Sequence, residues 1–378
     1  MTDAHAPFSH GQLGQRLRPT TKAQPTDSRV HNRALVLTTL FHKGPLSRAD
    51  LARATGLTRV TISDLVQKLI DAGLVSDQGP VSCGRVGKPA NIVSMTPSAG
   101  YVLAVDLSLG LTARTAVLDL SGQSVLRREV PIGDTRGAAD VEALEQAIRQ
   151  MLLEAPSPVV GVGIATPGVV ETNGVVRSAA NLGWVDLPLK QRLEDLIDLP
   201  VYVDNDANLA ARAEFTFGGA NPTGMMLIMV GLGLGAALLL DGVLLEGPTS
   251  SAGEIGHVTA VDNGEPCACG RAGCLETVFS AGSLDQIQGD LDKLEQIGAT
   301  TGTVLAPVVS SLNLNEIVVA SPNQELPDQL LQAIAGSIKQ RVLPATSQGF
   351  LVRPAHGGSE SALLGACALV LSRRYGIA

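Results

Sequence analysis

Apolar residues recur at helical spacing through the N-terminal part of the chain. The first such stretch begins at residue 28 and ends at Gly44. Ser47 is placed to cap a second, short helix that Gly56 stops, and Thr58 is placed to cap a third helix that ends at Gly73. A helix, a short helix, a tight glycine turn and a longer helix together predict a helix-turn-helix. A generic helical bundle is the alternative interpretation.

The segment that follows, residues 74–95, is predicted to be a two-stranded hairpin. Its tip carries Gly84, Arg85, Gly87 and Lys88. A hairpin directly after a helix-turn-helix is typical of a wing, and a basic, glycine-rich tip can reach DNA phosphates or the minor groove. The sequence therefore predicts a winged helix-turn-helix over residues 28–97. Residues 1–27 are rich in Thr, Gln, Pro and His without periodicity, and are predicted to be a flexible arm.

Beyond Pro97 the pattern changes to strands that alternate with helices. Residues 98–217 are predicted to form a first lobe. Its elements are an antiparallel pair of strands, "YVLAVDLS" and "RTAVLDLSG", a helix over residues 138–154, the buried strand "VVGVGIATPG", and the strand, loop and helix of "PVYVDNDANLAARAEFTFG".

Residues 218–378 are predicted to form a second lobe of the same α/β kind. Its elements are the hairpin "MMLIMVGLGLGAALLLDG", a helical stretch, a last strand "NEIVVAS", and a final helix from Ser359 to Arg373 with one apolar face. Two α/β halves in tandem predict a bilobal body with a cleft between the lobes. Such a cleft is a usual place for a small ligand.

The composition agrees with a well-buried globular protein. Of the 378 residues, 45% are apolar and 17% are charged. A chain of this length exceeds one ordinary core, which favours several domains. The first thirty residues contain no apolar segment of the signal-peptide type, and the longest apolar run is interrupted by glycines. We therefore expect a cytoplasmic protein with no membrane partner.

The net charge of −8 is divided unevenly along the chain. Residues 1–90 contain 12 Lys and Arg against 6 Asp and Glu, whereas the remainder contains 16 against 30. A basic module ahead of an acidic body indicates that the front of the protein meets a polyanion, and double-stranded DNA is the partner we expect. Chance unevenness is the alternative on charge alone.

The cysteines are clustered. Three of the five, Cys267, Cys269 and Cys274, fall within eight residues, and His257 lies ten residues upstream of the first. Three thiolates and an imidazole suit tetrahedral Zn²⁺, and a closed set of this kind is a structural type of site. Glycines between the cysteines allow the chain to fold back so that the sulfurs converge. The sequence predicts one structural zinc ion per chain, with a free-thiol or redox role as the alternative.

The same region resembles the signature of the ROK family, which comprises repressors, open reading frames and sugar kinases. The motif "EIGH", followed ten residues after its histidine by the pattern CxCGxxGCxE, carries this resemblance, which runs from about Ser28 to the C-terminus. It implies an α/β fold in which an N-terminal winged helix-turn-helix precedes a bilobal, actin/hexokinase-like (ribonuclease H-like) sugar-binding body.

The resemblance also implies a sugar site. The motifs "NLGW", "DNDAN" and "EIGH" and the acid after the last cysteine supply its residues, which are Asn181, Asn205, Asp206, Glu254, His257 and Glu276. Asp206 matches the catalytic base of the kinases, and His257 would serve as both zinc ligand and sugar contact. Carboxylates and amides suit the hydroxyl groups of a sugar. The alternative is that Asp206 and Asn208 only cap a helix that starts near Ala207.

Three segments depart from the phosphate-binding motifs of the family's kinases. Ser108 and Leu109 stand where those kinases have glycines, Leu232 replaces the threonine of Gly-Thr-Gly, and Ser321-Pro322 replaces a glycine-rich turn. We therefore expect that the sugar site is kept and the ATP site is lost. On this interpretation Asp206 is a vestigial base and the chain has no catalytic residue.

The third helix resembles the recognition helix of the repressor branch, and "CGRVGKPANIVSM" resembles its wing. The residues expected to contact DNA are Thr58, Arg59, Thr61, Ser63, Gln67, Arg85 and Lys88. Asp64 departs from the basic or amide residue common at its position, and its role stays open.

These features predict a sugar-responsive DNA-binding transcriptional regulator, a repressor of genes for carbohydrate uptake or metabolism. It would bind a palindromic operator as a homodimer or homotetramer, with a sugar or sugar phosphate in the interlobe cleft as effector. A sugar kinase with an appended DNA-binding domain is the first alternative. A regulator worked by a sugar-transport protein is the second.

Overall fold

The computed structural model describes residues 14–16, 28–81, 90–132, 138–219, 223–287, 290–323 and 325–377. The wing tip with Arg85 and Lys88 lies outside these ranges, and so does most of the predicted arm. Within the arm the described residues form one short strand, β1 (Gly14–Arg16), which pairs with the edge of a sheet in the body. At these three residues the expectation of a wholly flexible arm does not hold, because the sheet edge offers unpaired backbone groups.

The N-terminal domain is a winged helix-turn-helix, as predicted. Its elements are α1 (Ser28–Lys43), β2 (Leu46–Ser47), α2 (Arg48–Thr55), α3 (Arg59–Asp71), β3 (Val75–Val81) and β4 (Ala90–Met95). The Ser47 hydroxyl accepts from the Asp50 amide at 3.1 Å, and the Thr58 hydroxyl accepts from the Thr61 amide at 3.2 Å. Gly56 ends α2 at a φ of 70°. The strands form an antiparallel sheet in the order β2-β4-β3.

The first lobe is built on a five-stranded sheet. Its elements are β5 (Tyr101–Asp106), β6 (Thr112–Asp119), β7 (Ser124–Pro131), α4 (Ala138–Glu154), β8 (Val159–Thr166), β9 (Val169–Val170), β10 (Val176–Ala179), β11 (Trp184–Leu187), α5 (Leu189–Glu194), β12 (Val201–Asn205) and α6 (Asp206–Thr216). The sheet order is β12-β8-β5-β6-β7, with β5 to β7 antiparallel and β8 and β12 parallel to β5. The predicted β5–β6 pair, α4 and β8 are confirmed. The loop predicted before α6 is absent, since β12 runs directly into the helix.

The second lobe repeats this arrangement. Its elements are β13 (Met225–Val230), β14 (Leu234–Leu240), β15 (Val243–Leu245), α7 (Leu275–Val278), α8 (Ala281–Asp285), α9 (Leu291–Leu312), β16 (Glu316–Ala320), α10 (Asp328–Lys339), α11 (Pro344–Ser347), β17 (Leu351–Pro354) and α12 (Ser361–Tyr375). The sheet order is β1-β15-β14-β13-β16-β17. As in the first lobe, three strands (β13 to β15) are antiparallel and two (β16 and β17) run parallel to the first of them, and β1 adds a further antiparallel strand at the edge. Both lobes therefore have the ribonuclease H-like topology that the sequence implied.

One strand of the second lobe was missed. The sequence predicts that "NEIVVAS", which contains β16, is the last strand, but β17 follows it and pairs parallel to it. β17 is only four residues long, ends in Pro354 and is partly exposed, so it carries neither alternation nor a buried apolar run.

The most apolar stretch of the chain, Met225 to Leu240, forms the antiparallel hairpin β13–β14, as predicted. All six residues of β13 are buried. Its apolar character therefore belongs to the interior of the second lobe. Among the described residues, no helix combines the length and the apolar character that crossing a bilayer requires.

The C-terminal helix α12 differs from its prediction in two respects. Every residue from Ser361 to Leu371 except Leu364 is buried, so the helix does not have a single apolar face. It packs against α6 and against the first-lobe strands β5 and β8, although the predicted boundary assigns it to the second lobe. Gly365 permits the close approach of α12 to α6, because a Cβ at this position would overlap the carbonyl group of Leu209.

The winged helix packs directly on the body. The rings of Phe41 in α1 and Phe217, just after α6, meet edge to face with centroids 5.7 Å apart. The Thr38 hydroxyl donates to the carbonyl oxygen of Gly376, just after α12, at 3.0 Å. Buried residues of α1 and α3 are continuous with the core that surrounds α6 and α12. The C-terminal ends of α6 and α12 therefore both lie next to α1.

Candidate functional site

The cysteine-rich loop lies between β15 and α7 and folds back on itself. Two isolated β-bridges, Thr259 with Cys274 and Pro266 with Ala272, hold its two sides together. Gly273 adopts a φ of 73°, and a Cβ there would overlap the carbonyl oxygen of Val261. This position therefore requires glycine, as the sequence indicates.

The fold brings the four predicted metal ligands together. The donor atoms of His257, Cys267, Cys269 and Cys274, which we call the Cys3His cluster, all lie within 4.8 Å of one another. Cys267 Sγ is 3.6 Å from His257 Nδ1, and Cys269 Sγ is 3.6 Å from Cys274 Sγ. In a tetrahedral site with Zn–S bonds of about 2.3 Å the sulfur atoms stand about 3.8 Å apart. The cluster therefore fits a tetrahedral metal ion, whereas a disulfide needs sulfur atoms about 2.0 Å apart.

The three thiols of the cluster are electrostatically unequal. Burial raises the pKa of Cys267 to about 12, and it also raises the pKa of Cys274. Cys269 is exposed, and hydrogen bonds from the backbone and side chain of Arg271 lower its pKa to about 6. Thiolates are the species that ligate metal, so two of the three cysteines favour the ligating form only when a cation is bound.

The cluster is in contact with two of the predicted sugar-binding carboxylates. Glu276 Oε1 lies 3.7 Å from Cys267 Sγ, and Glu276 Oε2 accepts from the Leu234 amide at 3.0 Å. Glu254 Oε2 lies 3.9 Å from His257 Nε2. A metal ion in the cluster would fix the loop, and the loop in turn fixes the directions of these two carboxylates.

Asp206 occupies the first position of α6, one residue earlier than the predicted start near Ala207. The cap is Asn205, whose Oδ1 accepts from the amides of Ala207 at 2.9 Å and Asn208 at 3.1 Å. The Asn205 Nδ2 donates to the Gly168 carbonyl at 2.8 Å. Asn205 therefore does the capping that the alternative interpretation gave to Asp206 and Asn208, and most of its hydrogen-bonding capacity is used inside the protein.

Asp206 itself is buried among other acids. Burial, the negative charge of Asp106 and that of Glu254 together raise its pKa to about 7. Burial also raises the pKa of Glu254, and Glu276 adds to that effect. The carboxylates Asp206, Glu254 and Glu276, which we call the cleft carboxylates, thus form one interacting group of acids next to the Cys3His cluster.

Asn181 lies apart from these residues in sequence. It is exposed on a single 3-10 turn, Ala180–Leu182, that follows β10. Gly168, which accepts the Asn205 amide hydrogen, packs against the backbone of Ser178 and Ala179 in β10. The turn is therefore connected to the α6 terminus through Gly168.

The segments that match the kinase phosphate loops are engaged with each other across the lobes. The Arg114 guanidinium bonds to Asp106, and it also donates to the Pro322 carbonyl of the second lobe at 3.4 Å. Leu232 of the second lobe contacts Gly110 of the first, where a Cβ would be 2.8 Å from the Leu232 side chain. The sequence interpretation missed Arg114, because its contact with the Pro322 carbonyl joins two distant parts of the chain.

The recognition helix α3 presents a polar surface. Thr58, Arg59, Ser63 and Gln67 are exposed and Thr61 is half-buried, while Arg85 and Lys88 lie outside the described residues. Asp64, whose role the sequence left open, forms an exposed ion pair with Lys68 at 2.8 Å. Val60, 80% exposed at the start of α3, was missed, because an apolar residue in a helix is ordinarily assigned to the core.

These features define a class of protein. A winged helix-turn-helix is joined to two lobes of ribonuclease H-like topology, and an acid-lined region lies beside a four-donor cluster. This is a sugar-kinase-like body that carries a DNA-binding domain. The chain belongs to the ROK family, whose family model matches residues 103–298.

Individual relatives cover more of the chain. It is 27% identical over 368 residues to the xylose repressor of Bacillus spizizenii, and the aligned region covers 90% of this chain and 94% of that repressor. It is 31% identical over 308 residues to a glucokinase of Halalkalibacterium halodurans, and the aligned region covers 70% of this chain and 93% of the glucokinase. The crystal structure of a ROK family transcriptional regulator, a homologue of the Escherichia coli Mlc protein, superposes with a TM-score of 0.76 at 24% sequence identity. The superposition covers 90% of this chain and 95% of that regulator.

Proposed function

We propose that this protein is a sugar-responsive transcriptional repressor, in which the winged helix binds an operator and a sugar in the cleft changes the affinity for DNA. The observation that carries the proposal is the direct packing of the winged helix on the body, at the ends of two helices that cross it. The likeness to a xylose repressor over nearly the whole of both chains supports it.

The DNA-binding residues of the proposal are Thr58, Arg59, Thr61, Ser63 and Gln67 of the recognition helix and Arg85 and Lys88 of the wing. Exposed hydroxyl, amide and guanidinium groups at the start of a recognition helix suit base edges and phosphates. Val60 joins them, since an exposed apolar side chain there suits the methyl group of thymine. Two such modules in a homodimer or homotetramer would read a palindromic operator.

The sugar-binding residues of the proposal are Asn181, Asp206, Glu254, His257 and Glu276, with Asn205 as a positioning residue. A structural Zn²⁺ held by the Cys3His cluster would brace the loop that carries Glu254 and His257 and leads into Glu276 of α7. When bound, zinc would supply a fixed geometry to this loop and hold the thiolates in their ionised form. Donor spacing and donor chemistry support this assignment.

The effect of the sugar on DNA binding would pass through α6 and α12. Helix α6 begins at Asp206, in the proposed sugar site, and Phe217 at its end contacts Phe41 of the winged helix. Helix α12 packs along α6 and leads to Gly376, which accepts from Thr38. A sugar that binds one arrangement of the lobes more tightly than the other would thereby shift the position of α1.

The test is operator binding by fluorescence anisotropy. An operator is first selected from random DNA with the purified protein, and its affinity is then measured with and without xylose, glucose and N-acetylglucosamine. We expect selection of a palindromic site and a change in its affinity with at least one sugar. Failure to enrich any DNA would contradict the function. Enrichment without a response to any sugar would favour the second alternative, control by a sugar-transport protein.

A sugar kinase is the rival function, favoured by the glucokinase relative and by the retention of Asp206. The contacts of Arg114 and Leu232 between the lobes argue against it, since they lie at the segments that match the kinase phosphate loops. Purified protein is to be incubated with ATP, Mg²⁺ and the same sugars. Turnover near the usual kinase range of about 1–100 s⁻¹ would overturn the regulator-only function.

A further inference from the structure

A cavity of about 440 Å³ lies where the winged helix meets the first lobe. Residues of α1 and β4 line it from the winged helix, and residues of the turn after β6 and of the end of α6 line it from the body. We call it the joint cavity. Small-molecule sites usually have volumes of about 300–1,000 Å³ and often lie between domains, so the joint cavity has the size and the position of such a site.

The wall of the joint cavity is largely apolar. Its apolar lining residues are Leu40, Phe41, Met95, Pro97, Leu120 and Phe217. The Phe41 ring lies edge to face with the His42 ring at 5.0 Å between centroids and with the Phe217 ring at 5.7 Å. Aromatic rings attract one another in this geometry, so a further ring inside the cavity would find partners on its wall.

The lining also indicates the charge of a ligand. Among the described residues that line the cavity there is no Asp, Glu, Lys or Arg, and His42 is the one titratable side chain. An ion that left water for such a wall would lose hydration without gaining an opposite charge. The joint cavity therefore favours an uncharged molecule.

One hydroxyl group of the lining is left for a ligand. The Ser121 hydroxyl donates to Asp119 Oδ1 at 2.7 Å, and the Ser94 hydroxyl accepts from the Gln78 side-chain amide at 2.9 Å. Thr216 is 3% exposed, and its hydroxyl has no hydrogen-bond partner among the described residues. Threonine in a helix has two accessible χ1 rotamers, so this hydroxyl can turn toward the cavity and pair with a ligand there.

We propose that the joint cavity is a second ligand site, for a small uncharged aromatic molecule with at least one hydrogen-bonding group. Its ring would pack on Phe41 and Phe217, and its polar atom would pair with Thr216. A cavity of about 150 Å³ holds benzene, so the joint cavity has room for one or two rings.

The joint cavity is separate from the proposed sugar site. Thr216 ends the helix that Asp206 begins, and ten helical steps correspond to about 15 Å along the axis. Because the wall comes from both the winged helix and the first lobe, a bound molecule favours one angle between them. Occupancy of the joint cavity would thus change operator affinity while the sugar site stays empty.

Ligand-detected NMR on the full-length protein tests the binding. The uncharged probes are phenol and benzyl alcohol, and the charged counterparts are benzoate and benzylamine. We expect at least one uncharged probe to bind, at least about tenfold more tightly than either charged counterpart. The proposal is overturned if neither uncharged probe binds, or if a charged counterpart binds as tightly.

Matched serine variants locate the bound probe. Ser121 is an exposed residue of the lining, whereas Ser98, exposed on the 3-10 turn Pro97–Ala99, does not line the cavity. We expect Ser121→Phe to weaken binding of the uncharged probe at least about tenfold and Ser98→Phe to leave it within twofold. Equal binding by the two variants would place the probe elsewhere on the protein. The melting temperature establishes that both variants are folded.

Thr216→Val tests the hydrogen bond. The change keeps the shape of the side chain and removes a hydroxyl that has no partner, so the variant should fold normally. We expect binding of the uncharged probe to weaken at least about threefold, and binding of toluene, which has the ring without the hydroxyl, to stay within twofold. Unchanged binding of both would exclude Thr216 as the polar partner.

The effect on DNA is measured by operator anisotropy without sugar, at a saturating concentration of the bound probe. We expect operator affinity to change at least about threefold, and this change to be absent in Ser121→Phe. An unchanged affinity would show that the site does not regulate DNA binding. This readout rests on the proposed function, whereas probe binding does not, so a protein that enriches no DNA fails the former alone. A change of oligomeric state in Ser121→Phe, measured by sedimentation, would show instead that a second copy of the chain covers the cavity.

Discussion

Cys269 is the one exposed cysteine of the Cys3His cluster, whereas Cys267 and Cys274 are buried. Its thiolate is favoured even without a cation, because Arg271 donates hydrogen bonds to it. Replacing it removes a ligand while leaving the buried side of the loop intact. The residue therefore separates the role of the metal from the role of packing.

Cys269→Ser should release the metal. We expect the zinc content, measured by mass spectrometry, to fall from about one ion per chain to near zero, and the melting temperature to drop by roughly 5 °C or more, because a bound ion stabilises only the folded state. Cys367→Ala is the matched control. Cys367 is buried outside the cluster, so this variant should keep its zinc. An unchanged zinc content in Cys269→Ser would refute the assignment.

Asp206 links stability to pH. Its pKa is raised to about 7 in the folded protein from an ordinary value of 3.8, by burial and by the charges of Asp106 and Glu254. Between about pH 4 and pH 7 the folded chain therefore holds a proton that the unfolded chain has released. The stability that this proton provides is fully present below the unfolded pKa and is lost as the pH rises through 7, with an upper limit of about 4 kcal/mol.

Asp206→Asn should remove this dependence. The variant should be at least about 1 kcal/mol more stable relative to the native chain at pH 8 than at pH 5, because only the native chain loses stability as the pH rises. Urea titrations of both proteins at the two pH values measure it, and groups common to both proteins cancel in the difference. If the two proteins differ by the same amount at pH 5 and pH 8, Asp206 does not carry the shifted proton. The variant should also lose its response to sugar.

At the scale of elements, the contact between α6 and α12 decides how the body is assembled. α12 lies against both α6 and the first-lobe sheet, and most of its residues are buried. Gly365 makes the close approach to Leu209 possible. Sequence periodicity shows that this segment is helical and apolar, but it does not show which lobe receives it.

Two glycine substitutions in helices should have opposite effects. Gly365→Ala places a methyl group into the Leu209 backbone, and we expect it to destabilise the protein by about 3 kcal/mol or more. Gly336→Ala in α10 meets no atom within 4 Å, and it should stabilise by about 0.4–1 kcal/mol, because alanine restricts the unfolded chain. Chemical unfolding measures both. Equal effects of the two substitutions would contradict the packing of α12 on α6.

At the scale of the whole molecule, the joint between the winged helix and the body determines whether a ligand can affect DNA binding. The joint combines an aromatic contact between Phe41 and Phe217 with a hydrogen bond from Thr38 to Gly376. A cavity of about 440 Å³ lies beside it, lined by residues of both parts. The joint is therefore packed on one side and open on the other, which leaves room for a change of angle.

Phe217→Ala should weaken the coupling between sugar and operator. We expect the sugar-induced change in operator affinity to shrink at least about fivefold, since the ring that transmits the position of α6 is removed. Anisotropy with and without sugar measures the change, and calorimetry should show sugar affinity within twofold of the native value. Phe41→Ala should have the same effect, and the double variant no larger one. Full coupling in either single variant would exclude this contact as the route.

Local chemistry made much of the fold predictable. The Ser47 and Thr58 caps, the Gly56 stop and the hairpin β13–β14 depend on neighbouring residues, and all are confirmed. The Cys3His cluster was predictable for a similar reason, because its cysteines lie close in sequence and the chain between them can only turn back. By contrast, β17 and the β9–β11 sheet were missed, since short strands carry too little periodicity.

The sequence by itself determined the winged helix, the two α/β lobes, the ligands of the proposed zinc site and the family, because each depends on spacing between nearby residues. Only the tertiary structure decided the position of α12, the engagement of Arg114 and the capping of α6 by Asn205. It also decided the acidic surroundings of Asp206, which raise the pKa of its carboxyl group. These depend on contacts between distant parts of the chain, whose energies arise from burial and from charges brought close together by folding.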